Sequence, residues 1–226
     1  GISVARELAV KGYQVDVFDS LPYAGGFMLV GVPAFRLPRA AIEMDVRLVE
    51  RLGVRFHYNT AIGVDIQFDQ LQRDYDAIAI TAGAMNAIEL DVPGSDLDGV
   101  QYGVDFMKRA NLGDPLTVGT DVVVIGGGYT AMDCSRTSLR HGAEHVSIVY
   151  RRTRSELVVD DEELGETERE GVRMEFLASP VEILGEDGRV TGVKFVRNRL
   201  GESDASGRRS PVPIEGSEFV IPAQTV

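Results

Sequence analysis

The stretch "VVVIGGGYTA" at residues 122–131 constrains this chain more than any other. Four apolar residues, all β-branched, run straight into three glycines, and the pattern after them, "AMDCSRTSLRHG", is helical. That order predicts a buried strand, a tight turn and a helix, the start of a βαβ unit in an α/β fold. The small residues fall at Gly126, Gly128 and Ala131, the G-x-G-x-x-A spacing. Gly126 permits the tight turn, Gly128 leaves room for a ligand to approach the backbone, and Ala131 lets the helix pack close to the strand. The helix start then offers free N–H groups and a partial positive charge to an anion, the arrangement that holds the pyrophosphate of a dinucleotide. A lone Gly-x-Gly also occurs in tight βα turns with no ligand, so the flanking strand and helix carry the reading.

The next strand, "HVSIVYRR" at 145–152, refines it. An acid at the end of this strand would bind ribose hydroxyls. Arg151, 25 positions after Gly126, and Arg152 stand there instead, with Arg154 close by. Two guanidiniums suit a 2′-phosphate, bidentately and with charge assistance, which points to NADP(H) rather than NAD. The alternative is a pair of solvated arginines at a strand end.

The first residues, "GISVARELAVKGYQVDVFDS", repeat the theme in part. A helix over 2–11 follows Gly1, a strand over 14–18 follows the helix, and Asp19 ends the strand. With Gly1 as the last glycine of a second fingerprint, Asp19 becomes its ribose acid, and the site is incomplete in this chain. An ordinary αβ unit with an acid at a strand end gives the same pattern.

Elsewhere the sequence predicts an amphipathic helix over 39–51, a short strand near 54–58, a buried strand in "YDAIAITAGA" (75–84) and a loop in "DVPGSDLDGV" (91–100). An acidic helix is expected over 160–170. Short strands follow from Val172, with a hairpin turning at Asp187-Gly188, an exposed loop at "GESDASGRRS" (201–210) and a strand in "FVIPAQTV". Two Rossmann-like βα modules therefore succeed one another. The expected division is 1–115 for a partial first domain, 116–216 for the second, and 217–226 for a return to the first.

Composition excludes several functions. The net charge of −12 argues against a nucleic-acid-binding protein. One cysteine, Cys134, forms neither an internal disulfide nor a four-thiolate metal or iron–sulfur site, and it suits a reducing compartment such as the cytoplasm. No apolar run reaches the ~20 residues that span a bilayer. His57, His141 and His145 are scattered and read as structural or solvated, and the acids Asp160 to Glu163 have no His or Cys partner nearby. No catalytic side chain and no metal site is expected.

The stretches "VFDS…GGFMLVGVPAFRLP", "YDAIAITAGA", "VPGSDLDGV", "VVVIGGGYTAMDCSRTSLRHGAEHVSIVYRR" and "EREGV" (168–172) together resemble the family of the small (β) subunit of NADPH-dependent glutamate synthase. They are also similar to the flavin/NADPH part of dihydropyrimidine dehydrogenase. The resemblance implies an FAD domain with an inserted NADPH domain. Electrons would pass from NADPH to FAD, then to iron–sulfur clusters outside this chain, then to a large catalytic subunit or other acceptor protein. It places Gly1, Asp19, Gly25, Gly26, Arg36 and Leu37 along FAD, with Thr81, Ala82 and Gly83 beside it. Gly126, Gly128, Tyr129, Thr130, Ala131, Arg151 and Arg152 would hold NADPH. Three departures stand out. The family's cysteine-rich cluster segment and its second FAD segment are not in this sequence, and "ELVVDDEE" (156–163) stands where relatives usually carry a Met-Pro-containing loop.

Three functions remain in play: an NADPH-dependent flavoprotein reductase, a module that binds NADP(H) without catalysis, and a regulatory domain that senses the coenzyme. A ferredoxin- or sulfide-linked relative would look similar.

Overall fold

The computed structural model describes residues 1–203 and 207–226. The chain divides into two compact units, Gly1–Met85 and Asn86–Val226. The packing division therefore falls before the linker near residue 115, and residues 86–115 and 217–226 pack within the second unit.

The first unit opens with helix α1 (Ile2–Val10) and strand β1 (Asp16–Phe18). A single helical turn α2 (Phe27–Val30), helix α3 (Arg39–Arg51), strand β2 (Arg55–His57) and helix α4 (Phe68–Asp74) follow. β1 and β2 pair in parallel, Val17 opposite Phe56. Ala5, Val49 and Val54 form the buried centre, flanked by Ile2, Val15 and Phe56, so α1 and α3 present their apolar stripes to one small core.

The strand expected over 75–84 is not formed. Residues 77–84 are exposed and carry no ladder, with Ile80 77% exposed. Apolar content suggested burial, but a strand exists only where a neighbour takes up its N–H and C=O groups, and β1–β2 is the one ladder of this unit among the described residues.

The second unit begins with α5 (Gly103–Leu112), closed by Gly113 in the left-handed conformation (φ 75°). Strand β3 (Asp121–Ile125), helix α6 (Tyr129–Arg140) and strand β4 (His145–Tyr150) then form the βαβ unit read from the sequence. A 3-10 turn (Arg154–Glu156), helix α7 (Asp161–Arg169) and strand β5 (Arg173–Phe176) continue it. The sheet is parallel in the order β3-β4-β5. Its side chains sort by strand alternation. Val122, Val146 and Ile148 pack with Met132 of α6 and Leu164 of α7. Val123 and Val149 face the other way, onto Ile183, Val193 and Phe195.

Those last residues belong to an antiparallel sheet of β6 (Ala178–Glu186), β7 (Arg189–Ser203), β8 (Arg209–Pro213) and β9 (Phe219–Pro222). The hairpin turns at Asp187 (φ 50°) and Gly188 (φ 78°), where both central residues of the tight turn need positive φ. The loop expected at 201–210 is narrower than its composition suggested: 201–203 continue β7, 209–210 begin β8, and 204–206 lie outside the described residues. β9 pairs with β7, and the Val123 N–H donates to the Thr225 carbonyl at 3.0 Å, so the end of the chain lies beside β3.

Candidate dinucleotide-binding site

The three glycines after β3 have three different reasons. Gly126 sits at φ 148°, and a Cβ there would stand 3.5 Å from Cβ of Ala131, so strand and helix approach closely at small residues. A Cβ on Gly127 would stand 2.4 Å from the Tyr150 ring, so this glycine is demanded by β4. Gly128 caps α6, and a Cβ on it would meet only Val158 Cγ2, at 3.8 Å. The space beside Gly128 is open, as a ligand approaching the backbone needs. No side chain caps α6, and its first backbone bonds run from Ala131 and Met132 to the Gly128 carbonyl. The N–H groups of Tyr129 and Thr130, ahead of those bonds, thus remain for an anion. Gly127 was not singled out from the sequence; the aromatic residue at the end of the following strand is the only signal that could have found it.

Tyr129 and Thr130 are exposed at the start of α6. The Tyr129 hydroxyl donates to Asp160 Oδ2 at 2.9 Å, and this bond to the carboxylate raises the tyrosine above its usual range. Asp160 caps α7, accepting from the Glu163 N–H at 2.8 Å; that bond first, and the Tyr129 hydroxyl second, hold its carboxyl below the ordinary value. Asp160 thus ties α7 to the rim of the Gly-rich turn.

The two arginines after β4 part company. Arg151 is exposed, whereas Arg152 is 3% exposed and its Nε donates to the Arg209 carbonyl at 2.7 Å. Of the two arginines expected to hold the coenzyme, Arg151 is exposed and Arg152 is engaged with the Arg209 carbonyl. Arg209 itself pairs with Glu156 at 3.0 Å, and the Glu156 carbonyl accepts from the Tyr150 hydroxyl at 2.8 Å.

In the first unit, a Cβ on Gly1 would lie 3.1 Å from Thr81 Oγ1, so two of the residues assigned to FAD are neighbours. Asp19 ends β1 as expected, but its Oδ1 accepts from the Leu21 N–H at 3.0 Å, and one carboxylate oxygen is therefore engaged in a local turn. Gly25 (φ 133°) lies against Leu29 and Ile42, while Gly26 (φ 54°) caps α2 with open space around it. Arg36 places its guanidinium 5.9 Å from the Phe35 ring centre, and Leu37 is half-buried beside it. Ala82 and Gly83 (φ 74°) are exposed.

Away from this site, Cys134 is buried against Phe106 and Met107 of α5, and burial pushes its thiol up to about 12. Among the described residues no group of three or more His, Cys, Asp and Glu could hold a metal ion, and no helix is long and apolar enough to cross a membrane.

Residues 1–206 match the pyridine nucleotide-disulphide oxidoreductase family. The chain belongs to that family. Its relatives include the beta subunit of an NADP(+)-dependent formate dehydrogenase from Moorella thermoacetica, 44% identical over all of this chain and 32% of that protein. They also include the NADPH glutamate synthase small chain of Azospirillum brasilense, 38% identical over all of this chain and 49% of that protein. The resemblance drawn from the motifs thus holds. The chain spans about a third to a half of the length of these relatives. Among solved structures, Mycobacterium tuberculosis FprA in complex with NADPH superposes with a TM-score of 0.81 at 23% identity, over all of this chain and 66% of that one, a likeness of fold. The α/β class with parallel βαβ units agrees with that membership.

Proposed function

We infer that this member of the pyridine nucleotide-disulphide oxidoreductase family works in an NADPH-dependent flavoprotein oxidoreductase. The observation that carries the reading is the uncapped start of α6 behind Gly126 and Gly128, with Arg151 exposed at the end of the next strand. Backbone N–H groups would take the pyrophosphate, and the Arg151 guanidinium the 2′-phosphate. Gly1, Asp19, Gly26 and Thr81 would line the adenosine end of FAD, and the open backbone at Gly26 and the free oxygen of Asp19 fit that role. When bound, the nicotinamide supplies a hydride and the flavin accepts it; the chain's own part is to bind, orient and exclude water. We assign the flavin side to residues within 1–115 and the coenzyme side to 116–216, with 217–226 leading back.

Relatives named as beta subunits and small chains support a larger partner subunit that receives the electrons. Iron–sulfur clusters would lie outside this chain, because one thiol cannot hold one. Titration of the chain with NADPH and NADH tests the coenzyme side. NADPH is expected to bind at least tenfold more tightly, the difference one charge-assisted pair supplies, and Arg151→Ala to remove most of that preference. Equal affinity of the unmutated chain for the two coenzymes would overturn the reading. For the parent protein, NADPH oxidation with an artificial electron acceptor separates an enzyme from a binding or sensing module.

A further inference from the structure

The backbone around Arg151 is held from the antiparallel sheet by contacts distant in sequence. Asn198, on β7 and 3% exposed, donates from Nδ2 to the Arg151 carbonyl at 3.0 Å and to Ser179 Oγ at 2.8 Å. Leu177 donates its N–H to the Arg152 carbonyl at 3.1 Å, and its own carbonyl accepts the Asn198 N–H at 2.7 Å. It does so at φ 57°, a left-handed conformation that a leucine adopts only against strain. The Arg152 side chain closes the set on the Arg209 carbonyl. The Arg151 carbonyl can only accept, so the amide of Asn198 must present its nitrogen there. Its Oδ1 is left buried without a hydrogen-bond partner. A buried amide with an orphaned oxygen is a poor choice for packing alone, since an apolar residue would avoid the penalty. Its donor side is what the fold retains.

We propose that Asn198 is a positioning residue for coenzyme selection: it fixes the backbone at Arg151 so that the guanidinium is presented to the 2′-phosphate while Arg152 is turned inward. The idea rests on the assignment of Arg151 to the 2′-phosphate made above. Without the Nδ2–carbonyl bond, the strand end gains rotational freedom and the guanidinium loses its preorganised direction. The adenine, ribose and pyrophosphate contacts are made elsewhere and stay as they are.

The full chain is titrated with 2′,5′-ADP and with 5′-AMP, which differ only in the 2′-phosphate. The unmutated chain should favour 2′,5′-ADP. Asn198→Ala should weaken 2′,5′-ADP about three- to tenfold, the effect of losing one oriented hydrogen bond, and leave 5′-AMP unchanged. Arg151→Ala should abolish the preference, and the double variant should be no worse than Arg151→Ala, because the two residues act through one contact. Ser179→Ala, which loosens the amide without emptying its site, should give a smaller loss of the same kind and serves where Asn198→Ala fails to fold. Retained preference in Asn198→Ala and Ser179→Ala, when Arg151→Ala has lost it, overturns the role of Asn198 and leaves Arg151 standing. Equal weakening of both ligands also overturns it, as a general packing defect. An unmutated chain without the preference overturns the assignment of Arg151 and this proposal with it.

Discussion

At the scale of single residues, the Gly-rich turn separates packing from binding. Alanine at position 127 would drive a methyl into the Tyr150 ring, whose hydroxyl is held by the Glu156 carbonyl. Gly127→Ala should therefore destabilise the chain by about 1–3 kcal/mol, the usual cost of overpacking, read as a shift in the urea midpoint. Alanine at 128 meets no such obstacle, so Gly128→Ala should leave the midpoint nearly unchanged and weaken NADPH by crowding the pyrophosphate. A variant pair with these effects exchanged would show that the turn is misread. Cys134 makes a second test. Buried and with its thiol pushed up to about 12, it should resist iodoacetamide at neutral pH and react at once in denaturant.

At the scale of elements, α6 and α7 are locked by charge. Arg136 of α6 is buried and reaches Glu163 at 3.1 Å, Glu166 at 3.0 Å and Glu170 at 2.8 Å, and Arg140 adds a 2.6 Å pair to Glu170. Removing Arg136 strands the buried carboxylate of Glu163, and Arg136→Ala should cost about 3–5 kcal/mol in a denaturation measurement. The bond from Arg140, and after it that from Arg136, lowers the Glu170 carboxyl to about 2, against an ordinary 4.5. A carboxyl lowered in the folded state contributes stability that is full above about 4.5 and fades as pH falls toward about 2. Unfolding free energy should drop across that window, and Glu170→Gln should flatten the drop; an unchanged slope would remove Glu170 as its cause. The helices themselves were legible, α3 and α6 from their apolar spacing and α7 from its acidic start. The lock between them was not, because Arg136 and the three glutamates lie some 30 positions apart and read singly as solvated charges.

At the scale of the molecule, the chain divides into two compact units, and the residues around the division are mostly exposed. Residues 77–84 carry no ladder, and Ile88 is 95% exposed. Thermolysin, which cuts before apolar residues, should cleave first between Asp76 and Glu89, and the larger product should retain NADPH binding if the proposed coenzyme residues, all within β3 to β9, hold it. Early cleavage within β3–β9 would contradict this division. The sequence alone determined the α/β class, the strand–turn–helix at 121–140, the helix start that suits a pyrophosphate and the basic strand end behind it. All of these are local patterns, set by side-chain period and by which backbone angles glycine allows. The tertiary structure decided what depends on distant neighbours. It showed that 75–84 finds no partner to become a strand, that Gly127 answers to Tyr150, and that Arg152 turns inward to Arg209. It also brought Asn198 under Arg151. Burial and hydrogen-bond partnership are properties of the packed chain, and only the packed chain distinguishes two adjacent arginines that the sequence leaves alike.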